Sequence, residues 1–266
     1  MFTINHIDEL FEQPGKVHQL SAASHSPFEE AYLAVRKAEG RLYPDDILRQ
    51  LPEVSPDHPL FGEWRIRRDT LDRMLACLRG KSRRLNILDL GCGNGWLSNR
   101  IAQNPGCRVC AVDLNREELG QGARVFADNL QLTFVYGDIF QPIFPKNSFD
   151  IVLAASSIQY FPNVAALMER LGDFAAAQGE IHIMDSPIYH ETEVANAKFR
   201  TLRHYRALGF EQMAQHYFHH TWDDLKPFRY HLLYKPHRFS QRLAKYLMRK
   251  NQSPFPWIRI LPKNIT

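Results

Sequence analysis

Between residues 85 and 185, short apolar runs alternate with longer stretches whose apolar positions recur at helical spacing. The runs are LNILDL (85–90), CRVCAVDL (107–114), QLTFVYGD (131–138), FDIVLAAS (149–156) and GEIHIMD (179–185). Strands that are separated by helices pair in parallel, so we expect an α/β fold with a doubly wound, mostly parallel sheet and helices on both faces. A closing hairpin near YHLLYKP (230–236) brings the predicted sheet to seven strands.

The segments on either side of this pattern do not show the alternation of strands and helices. Apolar positions near helical spacing occupy residues 28–35 and 62–78, and four prolines between them indicate turns. We therefore expect residues 1–80 to form an N-terminal helical lid and residues 81–236 to form the domain that carries the sheet. Residues 237–266 are then a basic C-terminal extension.

Composition narrows the class of protein. The chain has 266 residues, of which 44% are hydrophobic and 23% charged, as in ordinary globular domains. No apolar run approaches the roughly 20 residues that a transmembrane helix needs. The cysteines are too few and too scattered for a disulfide framework, which favours a reducing, cytoplasmic location; they are Cys77, Cys92, Cys107 and Cys110.

Charge is nearly balanced overall but uneven along the chain. The net charge of +4 is too small to imply a nucleic-acid partner. The segment from His237 to Lys263, however, contains no acidic residue, and its basic residues are Arg238, Arg242, Lys245, Arg249, Lys250, Arg259 and Lys263. Such a segment is either a solvated tail or a surface that contacts phosphates or a membrane.

A glycine-rich turn follows the first predicted strand, in the run DLGCGNG (89–95). Glycines there let the backbone approach a ligand closely. The dinucleotide-binding fingerprint requires a third glycine where Trp96 stands, and no Gly-Lys-Ser/Thr triplet of a P-loop is present. The carboxylate of Asp89 would repel a pyrophosphate but suits a ligand with an ammonium group, and S-adenosylmethionine is such a ligand.

The run LDLGCGNG resembles the first motif of class I S-adenosylmethionine-dependent methyltransferases, and the resemblance extends over about residues 85–185. It implies that Asp113 accepts hydrogen bonds from the ribose hydroxyls, that Asp138 contacts the adenine amino group, and that Ile139 packs on the ring. Backbone carbonyls of residues 154–156 hold the methionine amino group in that family. The cofactor-binding residues implied in this way are Asp89, Gly91, Cys92, Gly93, Gly95, Asp113, Leu114, Asp138, Ile139, Ala154, Ala155 and Ser156.

Each acidic residue also has a purely structural interpretation, because aspartates commonly cap turns. Asp89, Asp113 and Asp138 nevertheless fall at the carboxyl ends of three successive predicted strands. Ligands of parallel sheets bind at that edge, so a shared cofactor site explains all three positions together.

The residues that would bind the methyl acceptor are less clearly indicated by the sequence than those for the cofactor. Catalytic candidates follow the fourth and fifth strands, and they are Tyr160, Asp185, Tyr189 and His190. The lid segment HPLFGEWRIRR (58–68) resembles that of small-molecule methyltransferases. Trp64, Arg65 and Arg68 in this segment are the substrate-binding candidates, together with Tyr160 after the fourth strand. An arginine there suits the methionine carboxylate or an anionic acceptor. The Asn/Asp-Pro-Pro-Tyr/Phe motif of adenine and glutamine methylation is absent after the fourth strand.

Three functions therefore remain open. The favoured one is methyl transfer from S-adenosylmethionine to a small-molecule O- or N-acceptor. The alternatives are an RNA or protein methyltransferase that uses the basic extension, and a non-catalytic S-adenosylmethionine-binding regulatory protein. We expect no metal site: the polar cluster of His216, His219, His220, Asp223 and Asp224 is more typical of a sheet edge.

Overall fold

The computed structural model describes residues 4–22, 27–81, 83–236 and 253–262. Its α-helices are α1 (Pro27–Ala38), α2 (Asp45–Gln50), α3 (Phe61–Arg79), α4 (Trp96–Ala102), α5 (Arg116–Val125), α6 (Val164–Phe174) and α7 (Glu191–Ala207). Its strands are β1 (Val17–Gln19), β2 (Leu85–Leu90), β3 (Cys107–Asp113), β4 (Leu132–Tyr136), β5 (Phe149–Ala155), β6 (Ala175–Met184), β7 (Tyr230–Tyr234) and β8 (Trp257–Ile260). Short 3₁₀ helices occupy Ile7–Phe11, Ile158–Tyr160 and Glu211–His216.

Across the described residues the strands form one sheet in the order β1-β4-β3-β2-β5-β6-β8-β7. The first six in that order pair in parallel, and β8 pairs antiparallel with both β6 and β7. The predicted doubly wound, mostly parallel fold is confirmed. The sheet has eight strands rather than seven. Only β7 lies at the predicted hairpin near residues 230–236, and it pairs with β8, which was not predicted. The three-residue β1 from the N-terminal segment, also not predicted, pairs with β4.

Strand β8, the seventh strand in the sheet order, shows that part of the predicted C-terminal extension belongs to the sheet. Strand β8 lies inside the predicted basic extension, yet Ile258 and Ile260 are fully buried between β6 and β7. Arg259 of β8 forms an ion pair with Glu180 of β6 at 3.4 Å. The other basic residues of the segment lie outside the described residues, and the division into three parts stays a prediction.

Both faces of the sheet are covered by helices. Adjacent residues of β2 show the alternation: Leu88 packs in the cluster that includes α6, whereas Ile87 packs in the cluster that includes α3, α4 and α5. Both side chains have no exposed surface, so truncation of either to alanine would cost about 2–5 kcal/mol of unfolding free energy. This two-sided core fixes the strand ends against one another at the edge where β2, β3, β4, β5 and β6 terminate.

The N-terminal segment packs against that edge of the sheet. Helix α3 is anchored through Thr70, whose hydroxyl donates to Asp185 after β6 at 2.8 Å. Arg41 makes a bidentate contact with Glu63 of α3, and Arg36 of α1 lies 3.7 Å from Glu118 of α5. Among the described residues no helix is both long and apolar enough to cross a membrane.

Candidate active site

The turn between β2 and α4 exposes backbone instead of side chains. Gly93 and Gly95 have φ angles of 55° and 72°, in the left-handed region that favours glycine. A side chain on Gly91 would come within 2.6 Å of Ser157 Cβ, and one on Gly95 would overlap the Phe134 ring. Gly93 is different, because an added Cβ would meet only the Glu118 carboxylate, at 3.4 Å. Gly93 therefore presents its backbone to the space beside the turn.

Asp113, the last residue of β3, connects this turn to the next strand. Its Oδ2 accepts a hydrogen bond from the Gly93 amide at 2.8 Å, and its Oδ1 accepts from the amides of Leu114 and Asn115 at 2.7 and 2.9 Å. A carboxylate offers about four acceptor positions, so about one remains for a ligand hydroxyl. Burial raises the pKa of Asp113, and the three amides act against that rise.

A cavity of about 180 Å³ opens next to Asp113. Asp138 is on its wall, with one carboxylate oxygen accepting from the Phe140 amide at 3.0 Å, as in an aspartate turn. Asp138 therefore caps a turn and also lines the cavity, so its structural role does not exclude contact with a ligand. The wall also contains Phe28, Tyr32, Gly91, Leu114, Tyr136, Ile139, Ser156 and Tyr160.

A second cavity, of about 460 Å³, lies on the other side of Gly91 and Ser156. Its wall combines the glycine turn with the N-terminal helices and the segments after β5 and β6. The charged residues on this wall are Arg36, Glu39, Arg41, Glu63, Arg67, Asp89, Glu118 and Asp185. Gly91, Ser156, Tyr32 and Tyr160 line both cavities, so the two spaces adjoin.

Asp89 is the buried carboxylate at the floor of the second cavity. It is 2% exposed, and its Oδ2 accepts a hydrogen bond from Ser98 Oγ at 2.6 Å. Burial raises the pKa of Asp89 to about 6, and the nearby Asp113 adds to the rise. A cationic ligand group in this cavity would compensate the buried charge.

Helices α1 and α5 bring to this site residues that the sequence pattern did not predict. Tyr32 and Arg36 come from α1, and Glu118 comes from the first turn of α5. Glu118 is 3% exposed, and burial raises its pKa to about 7 in spite of Arg36 at 3.7 Å. Arg36 Nε is buried without a hydrogen-bond partner. The Arg36 side chain lines the second cavity, where its guanidinium suits an anionic ligand group.

The ends of β5 and β6 are held in strained backbone. Ser156 and Asp185 have φ angles of 56° and 49°, which non-glycine residues rarely adopt. Ser156 Oγ donates to the Asp185 carbonyl at 2.9 Å, so the two strained residues support each other. Asp185 Oδ1 accepts from Thr70 at 2.8 Å, and burial raises its pKa. Strain of this kind concentrates at functional sites.

Aromatic rings enclose the junction of the two cavities. Tyr160 packs edge-on against Tyr32 at 5.6 Å and against Tyr217 at 6.1 Å between ring centroids. Tyr205 lies 6.4 Å from Tyr217 and is 6% exposed. Burial raises the pKa of Tyr160, so its hydroxyl stays protonated and can donate a hydrogen bond at neutral pH.

The structure places the remaining predicted residues as follows. Trp64 is 3% exposed and packs against Tyr43 and Trp96 in the core, while Arg68 pairs with Glu53. It is Arg67, and not Arg65 or Arg68, that lines the second cavity. Gly95 and Ala154 support the site from behind: Gly95 abuts Phe134, and Ala154 is fully buried in β5. Tyr189 and His190 line a third cavity farther out.

The histidine cluster after α7 makes ordinary polar contacts. His219 Nε2 lies 2.9 Å from the Thr201 hydroxyl, and His220 Nε2 lies 2.9 Å from the Ile158 carbonyl oxygen. Within the described part of the chain, no group of three His, Cys, Asp or Glu residues is arranged to hold a metal ion.

Comparison with known proteins agrees with the fold. Residues 87–179 match the family described as a methyltransferase domain. Geranyl diphosphate C-methyltransferase from Streptomyces coelicolor, solved with S-adenosyl-L-homocysteine, superimposes with a TM-score of 0.54 at 15% identity, covering 90% of this chain and 98% of that one. Phosphoethanolamine N-methyltransferase 2 from Haemonchus contortus, solved with S-adenosyl-L-methionine, gives 0.56 at 15% identity, covering 88% and 59%.

The sequence relatives are also named as methyltransferases, and they match this chain over part of their length. A sterol 24-C-methyltransferase from Gibberella zeae is 28% identical over 131 residues, 48% of this chain and 33% of that protein. A ubiquinone biosynthesis O-methyltransferase from Rhodopseudomonas palustris is 32% identical over 99 residues, 37% of each chain. The matched segments therefore span about a third of the relatives' length.

Proposed function

We propose that this chain, whose residues 87–179 form a methyltransferase domain on the class I fold, transfers the methyl group of S-adenosylmethionine to an oxygen or nitrogen atom of a small molecule. The observation that carries the proposal is the Asp113 carboxylate bound to the Gly93 amide between two adjoining cavities. One cavity has Asp113, Asp138 and Ile139 on its wall, as a nucleoside site would, and the other has the charges that an amino acid end requires.

The residues present fit this cofactor. Asp113 has one acceptor position left for a ribose hydroxyl, and Asp138 and Ile139 lie on the same wall, where they would contact the adenine. Asp89 suits the ammonium group and the positively charged sulfonium. Its buried carboxylate also disfavours a phosphorylated nucleotide beside the glycine turn.

Arg36 is our candidate partner for the methionine carboxylate. Its Nε has no partner, and the side chain lines the cavity that contains Gly91 and Gly93. The arginines near residue 65 were the sequence-based candidates for this role, and the cavity wall favours Arg36. A guanidinium binds a carboxylate through two parallel hydrogen bonds, which orients the ligand as well as attracting it.

The cofactor supplies an electrophilic methyl group on sulfur, and the chain supplies alignment and a dry site. Tyr32 and Tyr160 cover the junction of the two cavities and exclude water there. Asp185 lies on the wall of the second cavity with a raised pKa, suited to accept the proton that an oxygen or nitrogen acceptor loses. Thr70 holds its carboxylate in place.

The relatives support a small acceptor. The names of the two sequence relatives refer to a sterol and to ubiquinone biosynthesis, and one structural neighbour was solved with geranyl diphosphate. Each of these names denotes a small molecule or its biosynthesis, and none denotes a nucleic acid or a protein.

Titration calorimetry with S-adenosylhomocysteine, NAD and ATP tests the cofactor assignment. We expect S-adenosylhomocysteine alone to bind; tight binding of NAD or ATP without it would overturn the proposal. Transfer of tritium from methyl-labelled S-adenosylmethionine to a panel of phenols and amines then tests turnover.

Asp185→Asn should lower turnover about 100-fold with little change in S-adenosylhomocysteine affinity. Asp173→Asn, at a surface ion pair with Lys146, is the matched control.

A further inference from the structure

A third cavity, of about 980 Å³, opens outside the proposed active site. It lies between the start of α7, strand β7 and the segment that leads into β8. Its apolar wall includes Ile188, Trp222, Tyr230, Leu232 and Pro256. Trp222 and Tyr230 stack in a tilted arrangement with ring centroids 6.1 Å apart, and Leu232 keeps 38% of its surface exposed.

Three residues line both this outer cavity and the charged inner cavity of the site. They are Pro187, Pro254 and Phe255, so they form the wall between the two spaces. Two of the three are prolines, whose rings fix the backbone. Phe255 is half-buried and carries the rotatable side chain of this wall.

Two chain segments run side by side from the site to the outer cavity. One begins at Asp185 on the inner wall, passes Pro187 and reaches Ile188 and Tyr189 outside. The other begins at Ser253, whose hydroxyl lies 3.5 Å from Asp185 Oδ1, and passes Phe255 to Pro256. The outer cavity therefore adjoins the inner cavity near Asp185, with Pro187, Pro254 and Phe255 between the two spaces.

The two cavities differ in the side chains that line them. The inner one is ringed by ion pairs, such as Arg41 with Glu63, and suits a small polar reacting group. The outer one has a mixed lining, in which aromatic and aliphatic side chains form one part. Its polar and charged residues are His190, Thr192, Glu193, Asn196, Arg200 and Lys235. A molecule that filled both would carry its nucleophile at one end of an apolar body.

Resting on the proposed function, we infer that the methyl acceptor is an elongated apolar molecule whose reacting end passes Phe255 into the inner cavity while its hydrocarbon body occupies the outer cavity against Trp222 and Leu232. Burial of hydrocarbon there contributes binding free energy at about 25 cal/mol for each Å² removed from water. Affinity should consequently rise with the length of the apolar body.

Trp222 provides a direct probe of this site. The full chain is saturated with S-adenosylhomocysteine and titrated with 12-bromododecanol, whose bromine quenches tryptophan fluorescence on contact, with dodecanol as the unbrominated control. We expect saturable quenching that weakens at least tenfold with 6-bromohexanol and that disappears in Trp222→Phe. Absence of saturable quenching, or equal affinity for the two chain lengths, would overturn the inference.

A charge in the outer cavity separates specific binding from general adsorption. Leu232→Glu should raise the dissociation constant for 12-bromododecanol at least tenfold without changing S-adenosylhomocysteine affinity. Leu130→Glu is the matched control, because Leu130 is 61% exposed and precedes β4 at the opposite edge of the sheet. If both variants bind the alcohol like the parent, the outer cavity is not the site. Loss of S-adenosylhomocysteine binding by the parent itself would count against the proposed function instead.

Discussion

The carboxylate of Asp113 lies 2.8 Å from the amide nitrogen of Gly93, and this contact ties the end of β3 to the glycine turn after β2. The same carboxylate also accepts from Leu114 and Asn115. Asp113 therefore shapes the turn as well as facing the nucleoside cavity. Replacement of Asp113 by alanine would disturb both roles, so a substitution of similar size and shape is the better test of cofactor binding.

Asp113→Asn should lower the affinity for S-adenosylhomocysteine about 10- to 100-fold. The amide side chain keeps one acceptor oxygen but loses the charge and the second acceptor, and hydrogen bonds to charged groups contribute about 1.5–3 kcal/mol. Calorimetry measures the affinity, and Asp128→Asn on the exposed surface is the control. Unchanged affinity in Asp113→Asn would remove this residue from the cofactor site.

Gly93 and Gly95 should respond differently to alanine, although both have positive φ. Gly95→Ala would overlap the Phe134 ring and should lower the unfolding free energy by about 2–4 kcal/mol. Gly93→Ala meets only the Glu118 carboxylate, so we expect a loss of about 1–2 kcal/mol from backbone strain together with at least tenfold weaker S-adenosylhomocysteine binding. Urea unfolding and calorimetry give the two quantities. Equal stabilities of the two variants, or normal binding by Gly93→Ala, would contradict this assignment.

Asp89 should make cofactor affinity depend on pH. Burial raises its pKa to about 6, and only the ionised form attracts the ligand's ammonium group. Affinity for S-adenosylmethionine should therefore rise between pH 5 and pH 7, and binding near pH 6 should release protons because the bound cation lowers that pKa. Calorimetry in two buffers of different ionisation enthalpy detects the release. Asp89→Asn should bind more weakly and show a flatter pH profile, and a profile as steep as the parent's would assign the effect to another group.

The parallel sheet and the glycine turn were predictable because their signals are local. Each strand of the parallel core is a contiguous apolar run, and DLGCGNG lies directly after one of them. Strand β1 has the sequence VHQ and lacks such a run, so only its pairing with β4 reveals it. Strand β8 was missed for a similar reason: WIRI is four residues long and follows a basic stretch.

The lid side of the site was not predictable at the level of single residues. Arg36 and Glu118 are separated by 82 positions in the sequence, and each falls on a helix where a charged residue is usually solvated. Their burial follows from the docking of α1 beside α5, which no local pattern encodes. The same holds for Arg67, which faces the cavity while its neighbours Arg65 and Arg68 do not line it.

Arg36→Gln should weaken S-adenosylmethionine binding at least tenfold while leaving decarboxylated S-adenosylmethionine almost unaffected. The pair of ligands differs by the carboxylate that we assign to Arg36, so the comparison isolates that contact from any general effect on the fold. Calorimetry measures the affinity of the parent and of Arg36→Gln for each of the two ligands. A similar loss for the two ligands would show that Arg36 acts only through the structure of α1.

Glu118 should lower the stability of the ligand-free protein as pH rises from about 4.5 to 7. Its pKa is near 4.3 in an unfolded chain but is raised to about 7 in the fold, because burial outweighs the attraction of Arg36. Within that window the unfolded chain releases the proton and the folded protein keeps it, so the carboxyl's contribution to stability is complete below the window and is lost by its upper end. Glu118→Gln cannot ionise and should gain about 1–3 kcal/mol of unfolding free energy relative to the parent between pH 4.5 and pH 8. Urea unfolding at several pH values measures the difference, with the exposed neighbour Glu117→Gln as control. If the curves of the parent and Glu118→Gln stay parallel across this range, the Glu118 carboxyl ionises normally in the fold and the burial argument is wrong.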